Sequence, residues 1–130
     1  MIKNKDIMLK PGDFPVIPYN MILKEALEEM NKFNLGVVCL VNKKNILKGI
    51  ITDGDIRRKL LKDQKPFSAF FVDDSIKHAA KNPKSSSPNK NIKETLKMMN
   101  KNEIWDVPIV QNKKLVGLVH LHPAMRRLIK

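Results

Sequence analysis

A ten-residue pattern occurs twice in this chain, and this duplication limits the folds that the chain can adopt. Residues 23–32 (LKEALEEMNK) align with residues 92–101 (IKETLKMMNK), with six identities in ten positions at an offset of 69. After a one-residue difference in length, residues 47–51 fall on residues 115–119. Because so many identities in so short a window are improbable by chance, we predict two copies of one supersecondary unit.

Both copies show the same order of predicted elements, β-α-β-β-α. A short extended piece leads into a helix with apolar residues at helical spacing, and a two-stranded hairpin then leads into a closing helix. Asn20 and Asn91 are predicted to cap the first helix of each copy. The predicted elements lie at 15–18, 23–32, 36–41, 47–52 and 55–62 in the first copy and at 84–87, 92–101, 107–110, 115–120 and 124–129 in the second. This order predicts an α/β (α+β) fold.

The predicted boundaries place the first repeat at residues 1–72 and the second at residues 73–130, of which 73–90 form a connecting segment and a short edge strand. Residues 66–72 are too apolar for a flexible linker and are expected to pack against a helix or the other half. A unit of roughly 60 residues is only marginally stable alone. We therefore expect the two repeats to pack together in pseudo-two-fold fashion.

Composition indicates a soluble protein of a reducing compartment. The single cysteine, Cys39, lies in an apolar run typical of a buried strand, and one cysteine cannot form a disulfide within the chain. No apolar run approaches the roughly 20 residues of a membrane span, and the lysine-rich start has no signal-peptide core. We therefore expect a cytoplasmic protein without a membrane partner.

The formal net charge is +12, and 21 of the 25 basic residues are lysines. Nucleic-acid binders concentrate such charge on one face, often with aromatic residues that stack on bases. Here the lysines are scattered along the chain and only 5% of the residues are aromatic. Because the charge is dispersed, we do not expect nucleic acid as a partner, although a positive field still favours anionic ligands in any cleft.

The strongest candidate site is the junction between a strand and a helix at residues 49–55 (GIITDGD). The hydroxyl of Thr52, backbone N–H groups and the carboxylate of Asp55 come together where the strand ends and the helix begins. Such a junction suits a ribose and a phosphate, because helix N-termini attract anions and carboxylates accept hydrogen bonds from sugar hydroxyls.

The duplicated order and the sequence at 49–55 together resemble a pair of CBS domains, the regulatory modules also called Bateman modules, over essentially the whole chain. Residues 52–58, the strand that follows Gly36 and residues 116–122 resemble most closely the CBS region of the arabinose-5-phosphate isomerase family. In that family a sugar-isomerase (SIS) domain precedes the pair. We therefore expect a fragment or a stand-alone module, with the CBS pair of sugar-phosphate nucleotidyltransferases as the alternative.

This resemblance implies a nucleotide site in which Thr52 and Asp55 clamp the ribose. Arg57 and Arg58 either reach phosphates or lie on a solvated first turn of the helix. The ligand-binding residues implied are Thr52, Asp55, Ile17, Pro18, Gly36, Val37, Asp53 and Arg57. Candidate ligands are the adenine nucleotides AMP, ADP and ATP or a CMP-sugar, and no cofactor is expected to be required.

The second copy lacks the clamp, since His120 stands where Thr52 stands in the first copy and Pro123 stands where Asp55 does. At most one standard nucleoside site is therefore expected. Asp53 and Asp55 lack the further ligands of a metal site, so neither metal binding nor catalysis is expected there.

Two other groups of residues remain open in interpretation. His120 and His122 would point to opposite faces of a strand, so a packed or surface role is preferred over a shared metal ion, with contact to a sugar-isomerase domain or a phosphate as the alternative. Trp105 is interpreted as a packing residue or as a stacking surface.

Three functions follow from these patterns, in order of preference. The first is a regulatory CBS pair that binds a nucleotide or nucleotide-sugar and modulates an attached or partner sugar-phosphate isomerase. The second is a module that forms a homodimer through exposed apolar helix faces, without a ligand. The third is nucleic-acid binding, and enzymatic activity of this chain itself is not expected because no nucleophile–base pair is evident.

Overall fold

The computed structural model describes residues 1–129, and it confirms a mixed α/β fold. The helices of this described part are α1 (Asn4–Ile7), α2 (Leu23–Phe33), α3 (Asp53–Lys62), α4 (Phe67–Phe71), α5 (Ile92–Asn102) and α6 (Leu121–Leu128), with a 3₁₀ helix at Ser75–His78. The strands are β1 (Val16–Pro18), β2 (Val37–Val41), β3 (Leu47–Thr52), β4 (Ala80–Lys81), β5 (Asp106–Gln111) and β6 (Lys114–His120).

The chain packs as two compact units. The central unit comprises residues 14–82, and the split unit comprises residues 1–13 together with the residues from 83 onward. These packing units differ from the predicted repeats, because residues 1–13 pack with the second repeat and residues 73–82 with the first. Each unit has a hydrophobic cluster of its own.

The central unit contains a four-stranded sheet in the order β1-β2-β3-β4. Strand β1 runs parallel to β2, whereas β2, β3 and β4 pair antiparallel. Helix α2 buries Leu23, Ala26 and Met30, as its helical spacing predicts. The predicted cap at Asn20 is wrong. The helix begins at Leu23, whose backbone N–H donates to the carbonyl of Asp73 at 2.9 Å, so another part of the unit replaces a side-chain cap.

The apolar segment at residues 66–72 packs against a helix, as predicted. It forms α4, which contacts α2, and the buried Phe70 joins the same hydrophobic cluster as Leu23. The connection between the repeats is therefore part of the packed unit.

In the split unit, the β5–β6 hairpin is extended on both sides by isolated bridges. Ser86 pairs with β5 in parallel, and Leu9 pairs with Leu118 of β6 in antiparallel. The predicted cap at Asn91 is confirmed, since its side-chain oxygen accepts a hydrogen bond from the Lys93 N–H at 2.9 Å. This sheet thus follows the same plan as the sheet of the central unit.

Each sheet gains its fourth strand from residues that precede the first long helix of the other repeat, α5 or α2, in sequence. Residues 80–81 pair with β3, and Leu9 pairs with β6. A glycine in the receiving strand permits this approach. A Cβ at Gly49 would lie 2.9 Å from the Ala80 carbonyl oxygen, and a Cβ at Gly117 would lie 3.0 Å from that of Leu9. Glycine within a strand is therefore required here by close backbone contact.

Candidate functional site

The predicted pair Thr52 and Asp55 forms a reciprocal capping box at the start of α3. The Thr52 hydroxyl accepts from the Asp55 N–H at 3.2 Å, while Asp55 Oδ2 accepts from the Thr52 N–H at 2.9 Å and from its hydroxyl at 3.1 Å. Threonine and a carboxylate three residues later are the residues that such a box needs. The arrangement holds both side chains at the helix N-terminus, half-buried and next to solvent.

The Asp55 carboxylate has one oxygen that is only weakly engaged. Oδ1 accepts from Arg58 Nη2 at 2.9 Å, and the Arg58 side chain is 61% exposed. An ionised carboxylate offers about four acceptor positions, and three of them are used by the bonds of the described residues. An exposed ion pair of this kind contributes only about 0–1 kcal/mol, so a ligand can displace Arg58 from Oδ1 at small cost.

Gly36 lies directly beside this junction. Its φ of +70° is in the left-handed region, and its carbonyl accepts from the Asp53 N–H at 3.0 Å. A Cβ at Gly36 would lie 2.6 Å from Asp53 Oδ2. The exposed Asp53 carboxylate therefore occupies the space beside the Gly36 backbone. A ligand ring can pack against Gly36 only if the Asp53 side chain rotates away.

The structure does not bring all predicted residues of the central unit together. Ile17 pairs with Leu40, three residues along β2 from Val37, and Pro18 pairs one residue further. At roughly 3.3 Å per residue, Ile17 and Pro18 lie about 10–13 Å along the sheet from Thr52. The side chains of Ile17 and Val37 are buried. Ile17 and Pro18 lie far from Thr52 because β1 pairs parallel to β2 near the end of β2, whereas Thr52 pairs with Val37 at the start of β2.

Of the two arginines predicted to reach phosphates, Arg58 is the one that bonds to Asp55. Arg58 follows Asp55 by three residues, so the two side chains lie on one helix face, and Arg57 lies about 100° further round the helix axis. Arg57 is exposed.

The equivalent junction of the split unit has the same backbone geometry and different side chains. The Leu121 N–H donates to the Trp105 carbonyl at 3.0 Å, as Asp53 donates to Gly36. His120 stands at the position of Thr52, and no side-chain hydrogen bond caps α6. A ribose clamp of the Thr52–Asp55 kind is therefore missing from this junction.

The histidines at this second junction face different partners. His120 is buried, and its Nδ1 bonds to Oδ1 of the buried Asp106, while the exposed His122 stacks edge-on against Trp105 with the ring centroids 5.9 Å apart. Asp106 is not among the site residues predicted from the sequence. The hairpin register, which sets Asp106 opposite His120, was the pattern from which it could be found.

Two further kinds of feature are absent from the described part of the chain. Residues 1–129 contain no group of three or more His, Cys, Asp or Glu side chains placed to hold a metal ion. None of the helices within these residues has the length and apolar character needed to cross a bilayer.

Comparison with known proteins identifies the fold and the family. The family model of the CBS domain matches residues 5–62 and 72–122. Protein RP505 of Rickettsia prowazekii is 31% identical over 96% of this chain, and arabinose 5-phosphate isomerase KdsD of Francisella tularensis is 29% identical over 97% of it. In both cases the match covers 37% of the relative. The chain therefore spans little more than a third of the length of these two relatives.

Solved structures share the fold over nearly the whole chain. The CBS domain pair of protein MJ0100, solved in complex with 5′-methylthioadenosine and S-adenosyl-L-methionine, has a TM-score of 0.79 at 25% identity and covers 99% of this chain and 96% of that one. CBSX2, solved in complex with AMP, has a TM-score of 0.86 at 16% identity and covers 99% and 97%. The protein belongs to the CBS domain family, and its two matched segments make it a CBS domain pair.

Proposed function

We propose that this CBS pair binds an adenine nucleotide or nucleoside at the β3–α3 junction of the central unit and thereby regulates a sugar-phosphate isomerase. Thr52 and Asp55 would hold the ribose. The observation that carries the proposal is the Asp55 carboxylate. It is fixed at a helix N-terminus through Oδ2, and among residues 1–129 the exposed Arg58 alone bonds to its Oδ1.

The hydrogen-bonding capacity of this junction matches a ribose diol. Two neighbouring hydroxyls donate two hydrogen bonds, and Asp55 Oδ1 offers two acceptor positions once Arg58 leaves. Asp55 cannot swing away during binding without breaking its two bonds to Thr52. The acceptor is therefore preorganised, and the ligand does not have to order it.

Two arginines and the positive net charge of the chain would attract the phosphate of a nucleotide. Arg58, released from Asp55, and the exposed Arg57 lie on the first turns of α3 near the same junction. The net charge of +12 attracts anions toward this surface. A nucleotide is therefore preferred over an uncharged nucleoside.

Adenine is favoured over cytosine by comparison. The MJ0100 pair, at 25% identity, was solved with two ligands that both contain adenosine. A CMP-sugar stays a candidate from the family resemblance alone. Ile17, Pro18, Gly36 and Val37 stay proposed as the residues near the base, through backbone atoms in the case of the buried Ile17 and Val37.

The regulated enzyme is proposed from the relatives. KdsD of Francisella tularensis is an arabinose 5-phosphate isomerase, and the match leaves most of its length, including any SIS sugar-isomerase domain, outside this chain. We assign this chain no catalytic role. Regulation would follow if the nucleotide favoured one conformation of the attached or partner enzyme. A sugar-phosphate nucleotidyltransferase is the alternative partner, and the buried Cys39 fits the proposed cytoplasmic location.

Isothermal titration of the chain with AMP, ADP, ATP and a CMP-sugar tests the nucleotide site. We expect Asp55→Ala to weaken adenine-nucleotide binding at least about tenfold, because it removes both diol acceptors. Asp63→Ala, an acid at the other end of α3, is the matched control and should change affinity less than about twofold. Circular dichroism separates binding from folding, since loss of the capping box costs about 0.5–2 kcal/mol by itself. Unchanged binding by Asp55→Ala, or no heat with any nucleotide, contradicts the proposal.

A homodimer is a second proposal, favoured by two exposed apolar side chains. Leu61 is 77% exposed and Ile129 is 80% exposed, and they stand at equivalent positions at the ends of the two closing helices. Light scattering at about tens of micromolar tests it. A monomer, or a dimer that survives Leu61→Lys, would count against an interface at these residues.

A further inference from the structure

The Asp53 side chain lies over the backbone of Gly36, on the face of the proposed nucleotide site where a ring would pack. A Cβ at Gly36 would lie 2.6 Å from Asp53 Oδ2 and 3.3 Å from its Cγ. A ring carbon in contact with a backbone carbon lies about 3.5–4.0 Å from it. The carboxylate and a ligand ring therefore compete for the same volume.

Only a rotation of the Asp53 side chain can clear this volume. The Asp53 N–H donates to the Gly36 carbonyl at 3.0 Å, and the capping box between Thr52 and Asp55 fixes the start of α3 around it. The backbone of Asp53 therefore stays in place. The side chain is exposed, and none of the ion pairs within residues 1–129 includes it. Other staggered rotamers are therefore open to it at small cost.

Arg57 is placed to receive the carboxylate once it leaves Gly36. Asp53 and Arg57 lie four positions apart in α3, with the acid on the N-terminal side, and this is the favourable order for an ion pair on a helix surface. Arg57 is exposed. Asp53 thus has two alternative positions, one over Gly36 and one beside Arg57, and only the second leaves the site open.

The charge of Asp53 opposes a phosphate in the same way as its bulk opposes a ring. Repulsion between two unit charges about 7 Å apart near water weakens binding roughly two- to fourfold for each unit of ligand charge. An ion pair with Arg57 offsets the charge of the carboxylate. Rotation therefore removes the steric obstacle and the electrostatic obstacle together.

We propose that Asp53 is a gate of the junction: over Gly36 it excludes a ring and repels phosphate, and beside Arg57 it admits both. The inference rests on the nucleotide site proposed above, and it makes Asp53 a residue that the ligand displaces rather than one that it contacts. The apparent affinity falls with the fraction of molecules in which the gate is open. Removal of the gate therefore tightens binding, whereas removal of a ligand contact weakens it.

Isothermal titration with adenosine, AMP and ATP separates the steric effect from the charge effect. We expect Asp53→Ala to bind all three at least about threefold more tightly, because the volume over Gly36 becomes free. Asp53→Asn keeps the bulk and loses the charge. Its affinity for adenosine should therefore change by no more than about twofold, while AMP binds at least about threefold more tightly and ATP gains more than AMP.

A charge reversal at Arg57 tests the open position. Arg57→Glu repels Asp53 from that position, so it should weaken adenosine binding about threefold in the parent chain and leave it unchanged in the Asp53→Ala background. Adenosine carries no phosphate, so a lost contact between Arg57 and phosphate does not enter this comparison.

Asp63→Asn is the matched control. It removes one acid just after the other end of α3, about 15 Å along the helix axis from Asp53, which exceeds the Debye length of about 10 Å at 0.1 M salt. Its affinities should change less than about twofold. Thermal unfolding adds a second readout, because a carboxylate in the first turn stabilises a helix. Asp53→Asn should melt about 1–4 °C below the parent chain although it binds AMP more tightly.

Three results would overturn the gate. If the parent chain binds AMP and Asp53→Ala binds adenosine and AMP no more tightly than the parent does, the gate is refuted and the nucleotide site stands. Weaker binding by Asp53→Ala would make Asp53 a ligand contact. If neither the parent chain nor Asp53→Ala gives heat with any of the three ligands at about 1 mM, the nucleotide site and the gate are refuted together.

Discussion

Replacing Gly117 with alanine tests whether residues 1–13 form part of the sheet of the split unit. The new Cβ would lie 3.0 Å from the Leu9 carbonyl oxygen, 2.8 Å from Met8 Cγ and in contact with Met8 Sδ. The Met8 side chain is buried and the Leu9 oxygen is backbone, so the clash cannot be relieved by moving an exposed side chain. We expect the Leu9 bridge to be pushed away from β6.

The expected loss of stability follows from the hydrogen bonds that join Leu9 to Leu118. Leu9 and Leu118 exchange two backbone hydrogen bonds, at 2.8 and 3.0 Å. Each contributes about 1 kcal/mol net, and overpacking of a closely packed site costs about 1–3 kcal/mol. We therefore expect Gly117→Ala to lower the free energy of unfolding by about 1–3 kcal/mol. For a chain of this length that lowers the melting temperature by roughly 4–12 °C.

Gly54→Ala is the matched control, and the structure predicts the opposite sign. The atoms nearest to a Cβ at Gly54 would be those of the flexible Arg58 guanidinium, the first at 3.1 Å. Alanine is favoured over glycine within a helix by about 0.8–1 kcal/mol, so this variant should be slightly stabilised. Urea unfolding followed by circular dichroism measures both. If Gly117→Ala is as stable as the parent chain, residues 1–13 do not hold the place in the sheet described above.

Three further predictions concern other contacts. Asn4 is fully buried and accepts a hydrogen bond from the Thr95 hydroxyl at 2.7 Å, so Asn4→Ala should lower the free energy of unfolding by about 2 kcal/mol in urea titration; a loss below about 0.5 kcal/mol contradicts this. Glu103 ends α5 with φ of 53°, so Glu103→Gly should raise stability by about 0.5–1 kcal/mol, and a lower melting temperature would refute it. The hydrogen bond from His78 lowers the pKa of Asp73, so its stabilisation is present above the unfolded pKa of about 4 and lost as pH falls through the lower folded pKa. The difference in melting temperature between the parent chain and Asp73→Asn should therefore shrink as pH falls from about 5 to below 3; a constant difference contradicts this assignment.

Local sequence patterns predicted the helices and strands, but they could not predict which distant segments pair in the sheets. The strand at 47–52 and the cap at Asn91 were predicted correctly because apolar alternation and capping chemistry are properties of neighbouring residues. Asn20 was wrong because a distant carbonyl, that of Asp73, serves the helix start. The pairing of residues 80–81 with β3 and of Leu9 with β6 was not predicted. The sequence feature that indicates this pairing is the pair of aligned glycines, Gly49 and Gly117, each within a strand.

The same division holds for the candidate site. Thr52 and Asp55 lie three residues apart, so helix geometry was enough to predict that they meet. Contact of Asp106 with His120 depends on hairpin register, and the distance of Ile17 from Thr52 depends on parallel strand order. Both are properties of the sheet rather than of any one segment.

The exchanged edge strands also set an order of events during synthesis. Residues 80–81 follow their partner strand β3 by about 30 positions, so the sheet of the central unit can be completed as soon as they leave the ribosome. Leu9 must wait for Leu118, 109 positions later in the chain. Closing this longer loop costs about 1 kcal/mol more in chain entropy. Residues 1–13 are therefore made well before their partner strand and are fixed only after it, and a permuted chain in which they follow residue 130 through a short linker should fold its split unit faster.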